Sequence, residues 1–331
     1  MRPSRTIWCS AIRAWSLSCS PGAAKRVSPC ARAGNALSSS MKEITPFTPH
    51  SAEELAEGVF PKPLDPVLYQ KMVEKFERID NVVTSQIVYE SDGLDVTGIQ
   101  CMPAEPDGEL PLMVFNRGGS RRYGMLTVVQ VLRLLAPLAA KGYIVLSTNF
   151  RGNDGGDGQE EFGGADVHDV LRLLELSKEM PEWDGKNAYL AGWSRGGMMT
   201  YLGLKHGAEV NAAASVAGLA DLRATKEERP EMHERVYKPL IPHESDAELW
   251  EQLEARSAVC WPEKITVPLL LQHGDADDVV DIAHSEQLAS LMEENGQPHK
   301  LIRYSGGDHF LNRQMDDVLN EIDAWFKAHA R

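Results

Sequence analysis

From Pro111 onward the chain alternates short apolar runs with runs of helical period, and this alternation constrains the fold more than any other feature. Leu112 to Asn116, Tyr143 to Phe150, Ala188 to Ala191, Val210 to Ala217, Val267 to His273 and Lys300 to Tyr304 read as strands. Met125 to Ala140, Ala165 to Leu176, Met198 to Leu204, Ile282 to Glu294 and Asp316 to Ala328 read as helices. Such alternation implies right-handed crossovers and an α/β fold with a mostly parallel central sheet flanked by helices. Upstream, Asn81 to Glu90 and Leu94 to Met102 predict antiparallel strands at one sheet edge, because Asp92-Gly93 between them is a hairpin signal. Residues 218–265 are charged, strand-poor and broken by Pro230, Pro239, Pro242 and Pro262. That is too long for a simple connection and predicts a helical insertion covering one end of the sheet.

In a parallel sheet, ligands bind at the carboxyl ends of the strands. The Gly-, Asp- and His-rich segments of this chain fall at such ends. Gly192-Trp193-Ser194-Arg195-Gly196 fits the G-x-S-x-G nucleophile elbow, where a strand turns sharply into a helix and residues 192 and 196 must be small. Alone it could equally be a glycine-rich turn with an incidental serine. Two further strand ends supply Gly274-Asp-Ala-Asp-Asp278 and Gly306-Gly-Asp-His309. Asp-rich turns often only cap helices, and a lone loop histidine is usually solvated or structural. Here the three elements stand in the order Ser, Asp, His, which is that of the α/β-hydrolases. Ser194 would be the nucleophile, His309 the base that takes its proton, and an aspartate of the 275–278 turn the group that orients the histidine.

These residues resemble the catalytic domain of the prolyl oligopeptidase family of serine peptidases, from about Val82 to the C-terminus. The matching pieces are Asn116-Arg-Gly-Gly-Ser120, Asn149-Phe-Arg-Gly-Asn153, Phe162-Gly-Gly-Ala-Asp-Val-His-Asp-Val170, Gly192-Trp-Ser-Arg-Gly-Gly197, Arg256-Ser257, His273-Gly-Asp-Ala-Asp-Asp278 and Gly306-Gly-Asp-His309. The resemblance implies Ser194, Asp277 and His309 as the triad, with Asp275 and Asp278 as fallbacks for the acid. The Arg195 backbone N–H, just after the nucleophile, is expected in the oxyanion hole. Large members of the family often place a tyrosine hydroxyl opposite it, whereas this sequence has Arg117-Gly118-Gly119. The second donor is therefore expected to be a backbone N–H near Arg117 or Gly118, and the Arg117 side chain either binds a substrate carboxylate or forms a structural salt bridge. The large members also carry an N-terminal β-propeller that filters substrates by size, for which the residues ahead of 81 are too few. Access is expected to be controlled by the 218–265 insertion, by a homo-oligomer, or not at all.

The expected activity is acyl transfer to water through an acyl-enzyme, on a small peptide or, as the alternative, a carboxylic ester. A non-catalytic ligand-binding version of the fold would usually lack a triad member. No cofactor is expected. His206, His233, His243 and His273 form no ligand-spaced cluster, so no metal is expected either. Asn153-Asp-Gly-Gly-Asp-Gly158 lacks the spacing of a calcium loop. A formal net charge of −14 argues against nucleic acid and anionic membranes as partners. No run approaches the roughly 18 apolar residues of a membrane-spanning helix.

Charge also divides the chain. Residues 1–40 hold Arg2, Arg5, Arg13, Lys25, Arg26 and Arg32 and no acid, leaving 28 basic and 48 acidic residues beyond them. This segment reads as a disordered leader resembling a transit peptide, or as an extension upstream of a true start at Met41. The second reading is preferred, with a cytoplasmic location; the first would send the chain to an organelle. Residues 41–80 are expected to be an extended lead-in with a helix over 65–79, and 81–331 the catalytic domain. Cys101 and Cys260 give no disulfide framework.

Overall fold

The computed structural model describes residues 41–47, 74, 77 and 79–331. Residues 37–48 and 81–331 belong to one compact unit, and the account below is of that unit. The leader over 1–40 and most of the helix expected over 65–79 lie outside the described residues.

The strands are β1 (Met41–Phe47), β2 (Val82–Ser91), β3 (Leu94–Pro103), β4 (Leu110–Asn116), β5 (Ile144–Thr148), β6 (Trp183–Trp193), β7 (Ala212–Val216), β8 (Leu269–Gly274) and β9 (His299–Tyr304). Among the described residues they form one sheet in the order β1-β2-β3-β5-β4-β6-β7-β8-β9. The first three and the β3–β5 pairing are antiparallel, and every pairing from β5 to β9 is parallel. Strands β5, β7 and β8 are buried at every residue, as parallel strands covered on both faces must be.

Helices connect the parallel strands. Helix α1, residues 128–139, follows β4 and contains a π-helical turn, Val131–Leu135. Helix α2 is Val167–Ser177, with Val167, Val170, Leu173 and Leu174 buried on one side. Helix α3 is Arg195–Lys205 and is almost wholly buried. Helix α4 is Asp246–Arg256, α5 is Ala283–Glu294 and α6 is Met315–Ala328. In α6, Phe326 stacks on Tyr189 of β6 with ring centroids 4.3 Å apart.

Three expected boundaries move. Met41–Phe47 is not a lead-in but an edge strand, antiparallel to β2 from Tyr89 to Thr84. Strand β6 begins at Trp183 rather than Ala188, because Trp183 already pairs with Leu110; between them the polar stretch bulges out of register, closed by the N–H groups of Lys186 and Asn187 on the Asp184 carboxylate. Helix α1 starts at Val128, not Met125, because the Leu126 N–H is drawn to the Asn149 side-chain oxygen at 3.0 Å and Thr127 is extended.

The 218–265 segment is the helical insertion expected. Short turns over Thr225–Glu228, Pro230–Met232 and Lys238–Leu240 precede α4, whose first turn is capped by Ser245. Tyr237 is buried against Phe162, and the Arg256 guanidinium donates to the Phe162 carbonyl at 3.1 Å, so the insertion is anchored on the loop before α2.

The chain leaves β4 to form β5 on one side and then returns to form β6 on the other. That reversal opens a crevice above the carboxyl ends of β4 and β6. No helix of the described residues is long and apolar enough to cross a membrane.

Candidate active site

Ser194 stands between β6 and α3 with φ 58° and ψ −121°, a conformation that non-glycine residues avoid. The surroundings hold it there. Its N–H donates to the Val216 carbonyl of β7 at 2.8 Å, and its carbonyl accepts from Gly197 N–H at 2.9 Å. A Cβ at 192 would lie 2.1 Å from the Gly196 carbonyl oxygen, and one at 196 only 1.9 Å from that of Asn116. The spacing of the elbow is thus steric in origin: strand, helix and the β4 end meet at van der Waals limit.

His309 lies on the loop after β9. Its Nδ1 is 2.8 Å from Asp277 Oδ2, with both side chains almost sealed from solvent. With Nδ1–H donating to the carboxylate, Nε2 is the basic nitrogen. Trp193 Nε1–H donates to the His309 carbonyl at 2.9 Å, which ties the histidine loop to the residue preceding Ser194. Among the described residues, neither Ser194 Oγ nor His309 Nε2 has a hydrogen-bond partner. Catalytic bonds of this kind are often open without substrate.

Of the three aspartates in the turn, Asp277 alone faces the histidine. Asp275 accepts the Gly306 N–H at 2.6 Å and is exposed, as is Asp278. Asp277 Oδ1 accepts the N–H groups of Val279 and Val280 at 2.8 and 2.9 Å. Burial would raise its carboxyl, but the hydrogen bonds from His273 and His309 hold it well below the usual carboxylate range. His273 Nε2 lies 2.9 Å from the Val280 carbonyl and 3.2 Å from Asp277 Oδ2. Both neighbours are acceptors, so Nε2 carries a proton, while Nδ1 faces the Ser285 hydroxyl at 2.7 Å.

Opposite the elbow is the turn after β4. A Cβ on Gly118 would stand 3.3 Å from Ser194 Cβ, so the Gly118 backbone lies directly against the serine. The Arg195 N–H, in the first turn of α3, has no intrahelical acceptor. Gly118 and Arg195 thus both flank the serine.

The Arg117 side chain does not reach substrate. It is 2% exposed, and its guanidinium donates to the carbonyls of Asn149, Gly118, Tyr123 and Arg121. Its Nη2 is 3.7 Å from Glu160 Oε2, so the structural reading replaces the carboxylate-binding one. Burial, then repulsion from Arg195, pushes the guanidinium down to about 9, against the pull of Glu160 and Asp166.

Side chains whose placement the sequence did not reveal back the elbow. The Arg195 side chain points inward, donating to Glu160 at 2.7 Å, to the Gly119 carbonyl at 3.0 Å and to Asp166. It lies between the Phe150 and Phe162 rings, 4.6 and 4.5 Å from their centroids. Glu160 Oε1 accepts the Arg121 N–H at 2.6 Å, and Oε2 accepts Asn153 Nδ2 at 3.1 Å. Arg133, on the π-turn, donates to the Phe310 carbonyl and covers the Trp193 ring at 5.3 Å. His273 and Trp193 were visible only as parts of motifs. Nothing local marks Glu160 or Arg133, whose partners are distant in sequence.

Comparison with known proteins agrees with this geometry. The sequence model of the prolyl oligopeptidase family matches residues 130–331. The chain is 30% identical to the uncharacterized peptidase YtmA of Bacillus subtilis over 73% of its own length and 92% of that protein. It is 24% identical to the human acylamino-acid-releasing enzyme over 72% of its length, which is only 34% of that larger protein. Among solved structures, the acylaminoacyl peptidase of Pyrococcus horikoshii superposes with a TM-score of 0.65 at 20% identity, over 77% of this chain and 43% of the other. A Mycobacterium tuberculosis puromycin-hydrolyzing peptidase gives 0.62 at 22% identity, over 75% and 39%. The chain therefore spans nearly all of one relative and well under half of the others. On the family model and the match to YtmA together, this chain belongs to the prolyl oligopeptidase family of serine peptidases.

Proposed function

We propose that the chain cleaves the amide bonds of short peptides or acylated amino acids through an acyl-enzyme on Ser194. The observation that carries this is the Asp277–His309 pair, 2.8 Å apart and tied by Trp193 to the strained serine elbow. Ser194 Oγ attacks the scissile carbonyl carbon as its proton passes to His309 Nε2. The negative charge on the carbonyl oxygen is met by the N–H groups of Arg195 and Gly118. His309 then gives its proton to the leaving amine. Water enters, gives a proton to the same nitrogen and attacks the acyl carbon; His309 returns that proton to Ser194 Oγ as the acid leaves. Asp277 stays ionised throughout and stabilises the imidazolium.

The names of the relatives point to acylated amino acids as substrates. The same groups would cleave an ester with less demand on protonation of the leaving group. The test is labelling by a fluorophosphonate near neutral pH. Wild type should label at Ser194, and Ser194→Ala should lose both labelling and turnover. A folded wild type that takes no label would sink the proposal. A panel of acyl-dipeptide nitroanilides against short nitrophenyl esters then separates peptidase from esterase.

A further inference from the structure

A cavity of about 580 Å³ opens at the carboxyl ends of β4 and β5, and the proposed reaction makes no use of it. Arg121, Arg122 and Met125 wall it on one side, the 152–160 loop on another, and Leu240 of the insertion closes it. Glu160 links this wall to the elbow: its Oε1 accepts the Arg121 N–H and its Oε2 the guanidinium of Arg195, the residue after Ser194.

Its charges are unequally committed. Glu160 is spent on Arg195, Asn153 and the Arg121 N–H. Asp154 Oδ2 accepts the side-chain amide of Asn149 at 3.1 Å. Arg121 and Arg122 are exposed, and among the described residues neither guanidinium has a hydrogen bond or an ion pair. Two adjacent unpaired arginines stand out in a chain of 48 acidic and 34 basic residues, where a partner is easily found. The Arg121 backbone is also fixed. Its φ is 51°, its N–H is held by Glu160 and its carbonyl by Arg117 at 3.2 Å. Arg121 is one of eight non-glycine residues with positive φ among the described residues, and two buried ionic side chains keep its backbone in place.

We propose that Arg121 and Arg122 bind a carboxylate carried by the substrate, and that this cavity gives the enzyme a preference for anionic peptides. The carboxylate comes either from an acidic side chain or from the peptide C-terminus; guanidinium recognition is the same for both. This rests on the hydrolase reading, so its test includes a readout that needs no turnover.

Ser194→Ala protein is titrated calorimetrically with acetyl-Ala-Glu-amide against acetyl-Ala-Gln-amide, and with acetyl-Ala-Ala against its C-terminal amide. The charged member of at least one pair should bind roughly tenfold or more tightly, as a charge-assisted pair implies. In the Arg121→Asn, Arg122→Gln background the ratio should fall to near one; asparagine tolerates the Arg121 backbone conformation, so the turn is preserved. Wild-type kcat/KM for Glu and Gln nitroanilides should show the same ratio. Equal binding within both pairs, or a preference that survives the double substitution, overturns the proposal. Failure of fluorophosphonate labelling would overturn the hydrolase reading alone, since the binding ratio decides the carboxylate site without it.

Discussion

Glu160→Gln is the substitution from which the structure predicts most. Glu160 is 3% exposed, and its two oxygens face donors only. Oε1 takes the Arg121 N–H; Oε2 takes Arg195 Nη1 at 2.7 Å and Asn153 Nδ2, and lies 3.7 Å from Arg117 Nη2. Glutamine keeps one oxygen and replaces the other with a donor. Placed one way, the amide confronts the Arg121 N–H; placed the other, it confronts Arg195 and Asn153. In either case Asp166, with Asp154 farther off, remains to balance two buried guanidinium groups. Removing one partner from a buried ionic cluster costs about 3–5 kcal/mol. For a unit of this size that lowers Tm on the order of 10 °C. Urea unfolding at pH 7 measures it, with Glu175→Gln as control: that exposed pair with Arg172, 2.9 Å long, should matter by less than about 1 kcal/mol. A loss below 1 kcal/mol for Glu160→Gln would refute the view that this carboxylate holds the platform beneath the elbow.

Three further outcomes follow from the same geometry. Asp277→Asn should reduce kcat by roughly a thousandfold or more, because an amide cannot hold the His309 tautomer; a loss under tenfold would contradict the assigned role. The depressed Asp277 carboxyl contributes stability that is complete above its ordinary unfolded range near pH 4 and is lost as pH falls through the lower folded value. The stability gap between wild type and Asp277→Asn should therefore be flat from pH 7 to about 4 and narrow below, as read from denaturation midpoints across that range. Gly196→Ala should slow fluorophosphonate labelling of Ser194 by roughly a hundredfold, since its Cβ would fall 1.9 Å from the Asn116 carbonyl oxygen and displace the elbow. Labelling within threefold of wild type would show that the elbow does not depend on this contact.

The parallel half of the fold was legible because each central strand holds a short apolar run and the runs alternate with segments of helical period. The elbow was legible for a steric reason: Gly192, Ser194 and Gly196 are the residue types that fit, and spacing alone reveals them. Met41–Phe47 escaped because an edge strand holding Lys42, Glu43 and Pro46 has no apolar alternation to read. Arg117 was ambiguous because a sequence records that a cation is present, not whether it is sealed. Its partners, the carbonyls of Asn149 and Tyr123 and the carboxylate of Glu160, come together only through the β4–β5 pairing. Glu160 and Arg133 were invisible for the same reason.

The placement of β1 bears on how the molecule keeps to itself. Strand β9, at the far edge, is six residues long and carries outward ion pairs, Lys300 with Glu321 and Arg303 with Glu286, which discourage another chain from adding to it. Strand β2 is ten residues long, and its outer row of N–H and C=O groups from Thr84 to Tyr89 is satisfied by β1. Without those seven residues β2 would become a long open edge, a template for strand addition between molecules. Residues 41–47, remote in sequence from the serine, thus act as a built-in selvedge that finishes the long edge of β2.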